Sequence, residues 1–322
     1  MAMKNLPLKN KKTITFVTPT YNEEEGIEDF LNALIAIRAK INKYNVDILV
    51  IDNASTDNTQ KILRNFANKN KYIKLIFNNR NFGHIRSPYW GIIQSYSDAT
   101  IYLASDFQDP VELVLDFIKY WEDGYDVVLG VKNKTEEESL LIRFARKLFY
   151  KLITLLSDTP IVSNSTGFGL YDKKVLDNVR SINDPYPFLR GLIAELGFSV
   201  QRVLFTQPQR YRGSTKNNFF TLYDFALLGL INHSSTMLRV CSFTGLIISI
   251  FCILISLFYL FYKLTYWEEF SVGIAPLVII TSFFLGIILF FMGIIGEYIA
   301  AILRYVKNIP IVVEKERINF DL

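Results

Sequence analysis

The chain has 322 residues, 50% hydrophobic, 15% aromatic and 20% charged, which is enough for one domain of catalytic size plus a strongly apolar addition. Its formal net charge is only +4, so no strong global field attracts nucleic acid. The 2 cysteines, Cys241 and Cys252, lie in one apolar stretch without CxxC spacing or a histidine cluster, which excludes a disulfide framework and a zinc site.

The first seventeen residues are basic but run straight into a strand pattern, with no apolar core ending in small residues. They predict no signal peptide and a first domain that stays in the cytosol. Short runs rich in β-branched residues recur at 13–19, 46–52, 73–77, 100–105 and 127–131 and read as buried strands. Between the first two, Ile27, Phe30, Leu31, Leu34, Ile35, Arg38 and Ile41 follow helical spacing, with only Arg38 off the apolar stripe. A second helix is expected over 58–68, with Ser55 or Asp57 accepting its free N–H groups. A further helix opens on Pro110 and runs to Trp121. Strands alternating with helices predict an α/β fold with a mostly parallel sheet covered on both faces.

In such sheets ligands collect beyond the carboxyl ends of the strands. Those positions are polar here: Pro19, Thr20, Tyr21, Asn22 and Glu23 after the first strand, Asp52 and Asn53 after the second, Asp106, Gln108 and Asp109 after the fourth. Carboxylates repel phosphate unless a divalent cation intervenes, and Asp106 with Gln108 offers hard oxygen ligands for Mg²⁺ or Mn²⁺. Ser105, Asp106 and Asp109 are equally suited to capping the Pro110 helix. Their position on a shared strand-end edge favours the catalytic reading.

Seven motifs in order carry a family resemblance: Pro19-Thr-Tyr-Asn-Glu-Glu, Asp52-Asn-Ala-Ser-Thr-Asp, Arg80-Asn-Phe-Gly, Ser105-Asp-Phe-Gln-Asp-Pro, Gly167-Phe-Gly-Leu-Tyr-Asp-Lys, Arg210-Tyr-Arg-Gly-Ser-Thr-Lys and Gly293-Ile-Ile-Gly-Glu-Tyr. Over nearly the whole chain the sequence resembles the family 2 glycosyltransferases that act on polyisoprenyl phosphates, such as dolichyl-phosphate mannose synthase and its bacterial glucosyl counterparts. The resemblance implies a GT-A type, Rossmann-like fold and a homo-oligomer, with a tetramer as the form it suggests. It implies that Pro19, Tyr21, Glu23, Asp52 and Asn81 hold the nucleotide sugar, Asp106 and Gln108 the metal and diphosphate, and Lys132 the donor phosphates. The catalytic set is then Asp106, Lys132, Arg210 and Lys216.

Four positions in three motifs depart from the family pattern. Ala104 stands where a metal carboxylate is common, Gly167 and Gly169 where an Asp and an Arg are common, and Asn53 where a second Asp is familiar. Losing an Asp does not abolish the chemistry, because a lipid phosphate with a second pKa of about 6 is already a dianionic nucleophile at neutral pH. What remains is to hold two anions together and stabilise the departing diphosphate.

Arg210, Arg212 and Lys216 precede the apolar part and suit an acceptor phosphate at the headgroup level, or a patch that merely attracts the membrane. His84 and Arg86 follow the third strand and read more readily as surface or packing residues. Gln207 to Tyr211 is superficially like a processive-synthase signature, but a tyrosine replaces its tryptophan. Residues 216–239, with Phe219, Tyr223, Ala226, Leu227 and Leu230 at helical spacing, read as an interfacial helix or as an ordinary packed one. Residues 240–262 and 274–303 are each apolar over more than the roughly 20 residues a membrane crossing needs. Arg239, Arg304 and Lys307 flank this 240–303 hairpin and predict that both chain ends face the cytosol of a plasma-membrane protein, with 304–322 as a tail. Glu297 lies near the cytosolic end, within reach of water.

The leading expectation is inverting, metal-dependent transfer of one sugar from a nucleoside diphosphate donor, a UDP-sugar first, to undecaprenyl phosphate or a similar carrier. Transfer to a non-lipid acceptor and a non-catalytic scaffold stand as alternatives.

Overall fold

The computed structural model describes residues 11–135, 162, 164–182, 184, 187–208, 236–265, 274–307 and 309–320. They fall into two units, one holding the described residues of 11–135, 162–208 and 309–320 and the other those of 236–307.

The first unit is an eight-stranded sheet. Its strands are β1 Thr13–Thr20, β2 Asn45–Asp52, β3 Ile73–Asn78, β4 Ala99–Tyr102, β5 Val127–Thr135, β6 Ser165–Asp172, β7 Val200–Gln207 and β8 Glu314–Ile318. Across the sheet the order is β7-β5-β6-β4-β1-β2-β3-β8. β6 runs antiparallel to β4 and β5, and β8 antiparallel to β3, while every other pairing is parallel. The predicted GT-A-like α/β architecture is therefore present, and its parallel strands aim their carboxyl ends at one edge.

The period-2 alternation of the strands sorts their side chains onto two faces. Ile14, Phe16, Ile48, Val50 and Leu75 pack with Phe30, Leu31, Leu34, Leu63, Val114 and Phe117. These last come from α1 Ile27–Lys40, α2 Thr59–Lys69 and α4 Leu113–Glu122. Val17, Leu49, Ile51 and Ile76 face Tyr89, Ile92, Val175, Leu176 and Leu192, from α3 Gly83–Ile93, α5 Lys173–Ser181 and α6 Leu189–Leu196. Truncating a fully buried ring such as Phe16 to alanine costs about 3–5 kcal/mol at such sites. Arg38, off the apolar stripe of α1, donates to Val46 O at 2.8 Å and lies over the Tyr72 ring.

Two segments read differently in the structure, and β6, β7, α3, α5 and α6 arise where no element was expected. The 304–322 segment, expected as a separate tail, supplies β8, so both ends of the chain build the sheet. β4 ends at Tyr102 rather than 105, because the Ala104 N–H turns to the Asp109 carboxylate at 2.9 Å.

The second unit holds α7 Thr236–Thr265 and α8 Ile274–Val306, helices of 30 and 33 residues. At 1.5 Å per residue both exceed the roughly 30 Å of bilayer hydrocarbon. Phe243, Phe258, Phe261, Phe283 and Phe290 on them are all more than half exposed. Two membrane-spanning helices were expected; among the described residues one helix, α8 over Phe283–Ala300, is long and apolar enough to cross, and none of that window is buried. Most of the expected interfacial helix, and Arg210, Arg212 and Lys216, lie outside the described residues.

Candidate active site

The site is built where β1, β2 and β4 end, and hydrogen bonds stitch these ends together. Asn53 N donates to Thr20 O at 2.9 Å. Asn22 N donates to Ser55 Oγ at 2.9 Å, and Thr56 N returns a bond to Asn22 Oδ1 at 2.7 Å. Glu23 N donates to Thr59 Oγ1 at 2.9 Å. From the third loop, Ser105 Oγ donates to Pro19 O at 3.0 Å. Pro19, Glu23, Asp52 and Asp106, separated by up to 87 residues in sequence, thus belong to one cross-linked rim.

Backbone strain concentrates at the same rim. Asn22, Ala54 and Phe107 hold left-handed φ of 52°, 61° and 60°. Non-glycine residues accept such conformations only where surrounding structure imposes them, and they gather at ligand sites. At Phe107, which Asp106 and Gln108 flank in sequence, the restraint is visible: its ring packs edge-on against Phe30 at 5.2 Å. Asp106 and Gln108 are half-buried.

Asp52 is fully buried at the end of β2. Its Oδ2 accepts from Ser55 N at 3.0 Å and Gln60 Nε2 at 2.7 Å, while Oδ1 has no protein partner. Burial pushes its pKa up, against those hydrogen bonds. Thr20, its register partner on β1, also carries a buried, unpartnered hydroxyl. Buried polar groups left without partners are exceptional, and here two adjoin at a strand end.

Asp109 is buried as well, and burial together with the nearby Asp106 charge pushes its pKa up to about 7. The Ala104 N–H and the Lys132 ammonium pull the other way. Lys132, on β5, is therefore within electrostatic reach of Asp109. The capping alternative fails: no side chain caps α4, Asp109 takes the Ala104 N–H, and Asp106 Oδ1 takes the Gln108 N–H at 3.2 Å.

The two glycine departures have backbone causes. A Cβ on Gly169 would lie 2.3 Å from Val128 O, so the close β5–β6 approach admits no side chain there. Gly167 has φ +94°, a conformation reserved for glycine, and its carbonyl accepts a short bond from Tyr171 Oη. Near them the sequence reading missed Arg190 on α6, whose guanidinium bonds Ser165 O and whose charge reaches the buried Tyr102 and Tyr171 hydroxyls. No motif marks it; only the packing of α6 brings it there. Arg86 instead donates to Pro310 O at 2.6 Å, a packing role, and His84 is exposed.

A divalent cation fits Asp106 and Gln108 in donor chemistry. Among the described residues no cluster of three acidic, His or Cys side chains exists. Mg²⁺ and similar hard ions often bind through one or two carboxylates and complete their shell with water and substrate phosphate.

Residues 15–180 match the family model described as Glycosyl transferase family 2. The chain is 31% identical over 298 residues to an uncharacterized glycosyltransferase of Synechocystis, covering 92% of this chain and 93% of the relative. It is 30% identical over 307 residues to the uncharacterized glycosyltransferase YkcC of Bacillus subtilis, covering 95% and 94%. It is 28% identical over 303 residues to the bactoprenol glucosyl transferase of Shigella phage SfII, covering 94% and 97%. With its strand-end site and a family match across half its length, the chain belongs to glycosyl transferase family 2 and is a glycosyltransferase.

Proposed function

We propose that the protein transfers one sugar from a nucleoside diphosphate sugar, a UDP-sugar by preference, to the phosphate of a polyisoprenyl carrier at the cytosolic membrane face. The observation that carries this reading is the cross-linked rim, which joins the unpartnered Asp52 and Thr20 oxygens to the Asp106–Asp109 loop. Tyr21, Glu23, Asp52 and Asn81 bind the nucleoside side, Asp106 and Gln108 face the diphosphate, and Lys132 neutralises it. A Mg²⁺ or Mn²⁺ ion held by Asp106 and Gln108 would offset the charge that builds on the leaving diphosphate.

The carrier phosphate supplies its own nucleophilic oxygen. Its dianion attacks the anomeric carbon from the face opposite the leaving group, the carbon–oxygen bond to the diphosphate breaks, and the configuration inverts. No general base is needed, which suits a site where Gly167 and Gly169 admit no carboxylate or guanidinium of their own. Arg210, Arg212 and Lys216 are assigned to the acceptor phosphate. β7 runs parallel to β5, with Phe205 in register with Lys132, and Arg210 follows three residues after β7 ends at Gln207. An extended chain covers roughly 10 Å in that number of residues.

Chain connectivity supports the hairpin. β7 and β8 belong to one sheet, so the chain between them crosses a membrane an even number of times if it crosses at all. With α8 as one span, α7 is the natural second. Relatives named as bactoprenol glucosyl transferases, aligned over nearly their whole length, support the lipid acceptor.

The test is a donor screen on the purified full-length chain in nanodiscs with Mn²⁺, using UDP-glucose, UDP-N-acetylglucosamine, UDP-galactose and GDP-mannose, with and without undecaprenyl phosphate. One donor should give lipid-dependent nucleotide release and a product that extracts into organic solvent. Release that never depends on the lipid sinks the carrier assignment.

A further inference from the structure

Asn53 has no room for a second role, because all its hydrogen-bonding positions are used within the protein. It is 6% exposed. Its Oδ1 accepts the Phe82 N–H at 2.9 Å and Asn78 Nδ2 at 3.1 Å. Its Nδ2 donates to Asn81 Oδ1 at 2.9 Å and to Gly83 O at 3.2 Å. Asn78, itself buried, anchors the group further by donating to Ser87 Oγ at 2.9 Å. Two backbone donors fix both amide orientations. The Phe82 N–H can only meet an acceptor, which turns the Asn53 oxygen toward it. The Gly83 N–H, 2.8 Å from Asn81 Oδ1, does the same for Asn81.

The consequence falls on Asn81, an exposed side chain. Its oxygen is taken twice, so the end it offers to solvent is the NH₂ donor. We propose that Asn53 is a positioning residue for the donor nucleotide: it locks the 81–83 loop so that Asn81 Nδ2 is presented to a carbonyl acceptor of the base. This inference rests on the reading of Asn81 as a donor-site residue.

The amide is essential to that role. An aspartate at position 53 has the same shape but only acceptors, and would face the Asn81 and Gly83 oxygens without a proton to share. Relief would require Asn81 to turn its amide over, which forfeits the Gly83 N–H bond and presents an acceptor where a donor stood. A carboxylate at this position is thus incompatible with this loop geometry.

The test is a double-mutant cycle on the full-length chain in nanodiscs, with UDP binding measured calorimetrically, donor KM and kcat measured alongside, and thermal unfolding as a check on the fold. Asn81→Ala and Asn53→Asp should each weaken UDP about tenfold and raise KM by a similar factor, with kcat nearly unchanged. The double variant should bind UDP within about threefold of Asn81→Ala alone, because both changes remove the same contact. If Asn53→Asp does not fold, Asn53→Ser, which keeps one donor, enters the same cycle. Unchanged UDP affinity in Asn81→Ala overturns the donor-site reading. Wild-type affinity in Asn53→Asp beside a weakened Asn81→Ala, or a double loss equal to the product of the single ones, overturns the positioning role.

Discussion

The two halves of the strand-end rim differ in how many side chains line them. On the β1–β2–β3 side, side chains do the work: Asn22, Asp52, Asn53, Ser55, Asp57 and Asn81 brace the backbone of the three loops that follow β1, β2 and β3. On the β4–β6–β5 side the Asp109 and Ser105 side chains hold the 104–109 loop, but Ala104, Gly167 and Gly169 carry no functional groups and β5 and β6 are drawn together until no Cβ fits at Gly169. The difference teaches that one half is preorganised to recognise a fixed shape while the other is left open for charged ligands. A nucleoside suits the first half, and phosphates with their metal suit the second.

If that division holds, Asp106→Asn separates the halves most sharply. It removes the carboxylate proposed to hold the metal and should lower kcat/KM about 10³-fold, the scale of losing one preorganised electrostatic contact. Binding of uridine, which lacks phosphates, should not change. Steady-state kinetics and calorimetry decide it, and equal damage to uridine binding would break the comparison. Gly169→Ala comes next, with an effect on the fold. Its Cβ meets the Val128 carbonyl at 2.3 Å, backbone against backbone, and β5 and β6 cannot both stay in place. A loss of about 3 kcal/mol in unfolding free energy is expected, read from denaturant unfolding.

How far each half was legible in the sequence follows from the same contrast. Buried parallel strands read as apolar runs, and polar residues at their ends stand out, so Asp52, Asp106 and Gln108 were visible as a group. Gly167 and Gly169 were visible only as lost side chains; the steric reason lies in a pairing such as Leu129 with Gly169, far apart in sequence. α3 escaped notice because it opens on a glycine and contains Pro88, both helix-breaking signals that tertiary packing of Tyr89 and Ile92 overrides. β8 escaped because Glu314-Lys-Glu-Arg-Ile is mostly charged, as an edge strand tolerates but a core strand does not. Arg190 had no signal at all.

A smaller effect tests whether the open half has lost a ligand or never used one. Ala104→Asp adds a carboxylate two residues before Asp106, where the family resemblance leads one to expect it. An added carboxylate should tighten Mn²⁺ about tenfold, seen as a lower half-saturating metal concentration in the transfer assay. No change in metal dependence would mean that the backbone turn made by Ala104 N–H and Asp109 directs position 104 away from the cation.

The smallest effect concerns what braces the recognising half from outside. β8 closes the sheet beside β3, and Arg64 on α2 grips Glu316 with two bonds of 2.8 and 2.6 Å while lying over the Phe77 ring. Next to it Asn79 N donates to Val313 O at 2.9 Å, immediately before the Arg80–Gly83 loop. The open half has no comparable clasp among the described residues of β7. Both partners of the ion pair are more than one third exposed, so its worth is discounted for solvent: Glu316→Gln should cost about 0.5–1 kcal/mol, and less at high salt. The pH dependence carries a sign. Arg64 holds the Glu316 pKa below its ordinary value, so the folded state binds the proton less readily than the unfolded chain. The contribution is therefore complete above the ordinary carboxylate pKa and lost as the pH falls through the lowered one. Thermal unfolding of wild type and Glu316→Gln should then differ at neutral pH and converge in acid. A gap that persists in acid would assign the strand's hold on β3 to its backbone ladder and the Phe77 stacking instead of the charge pair.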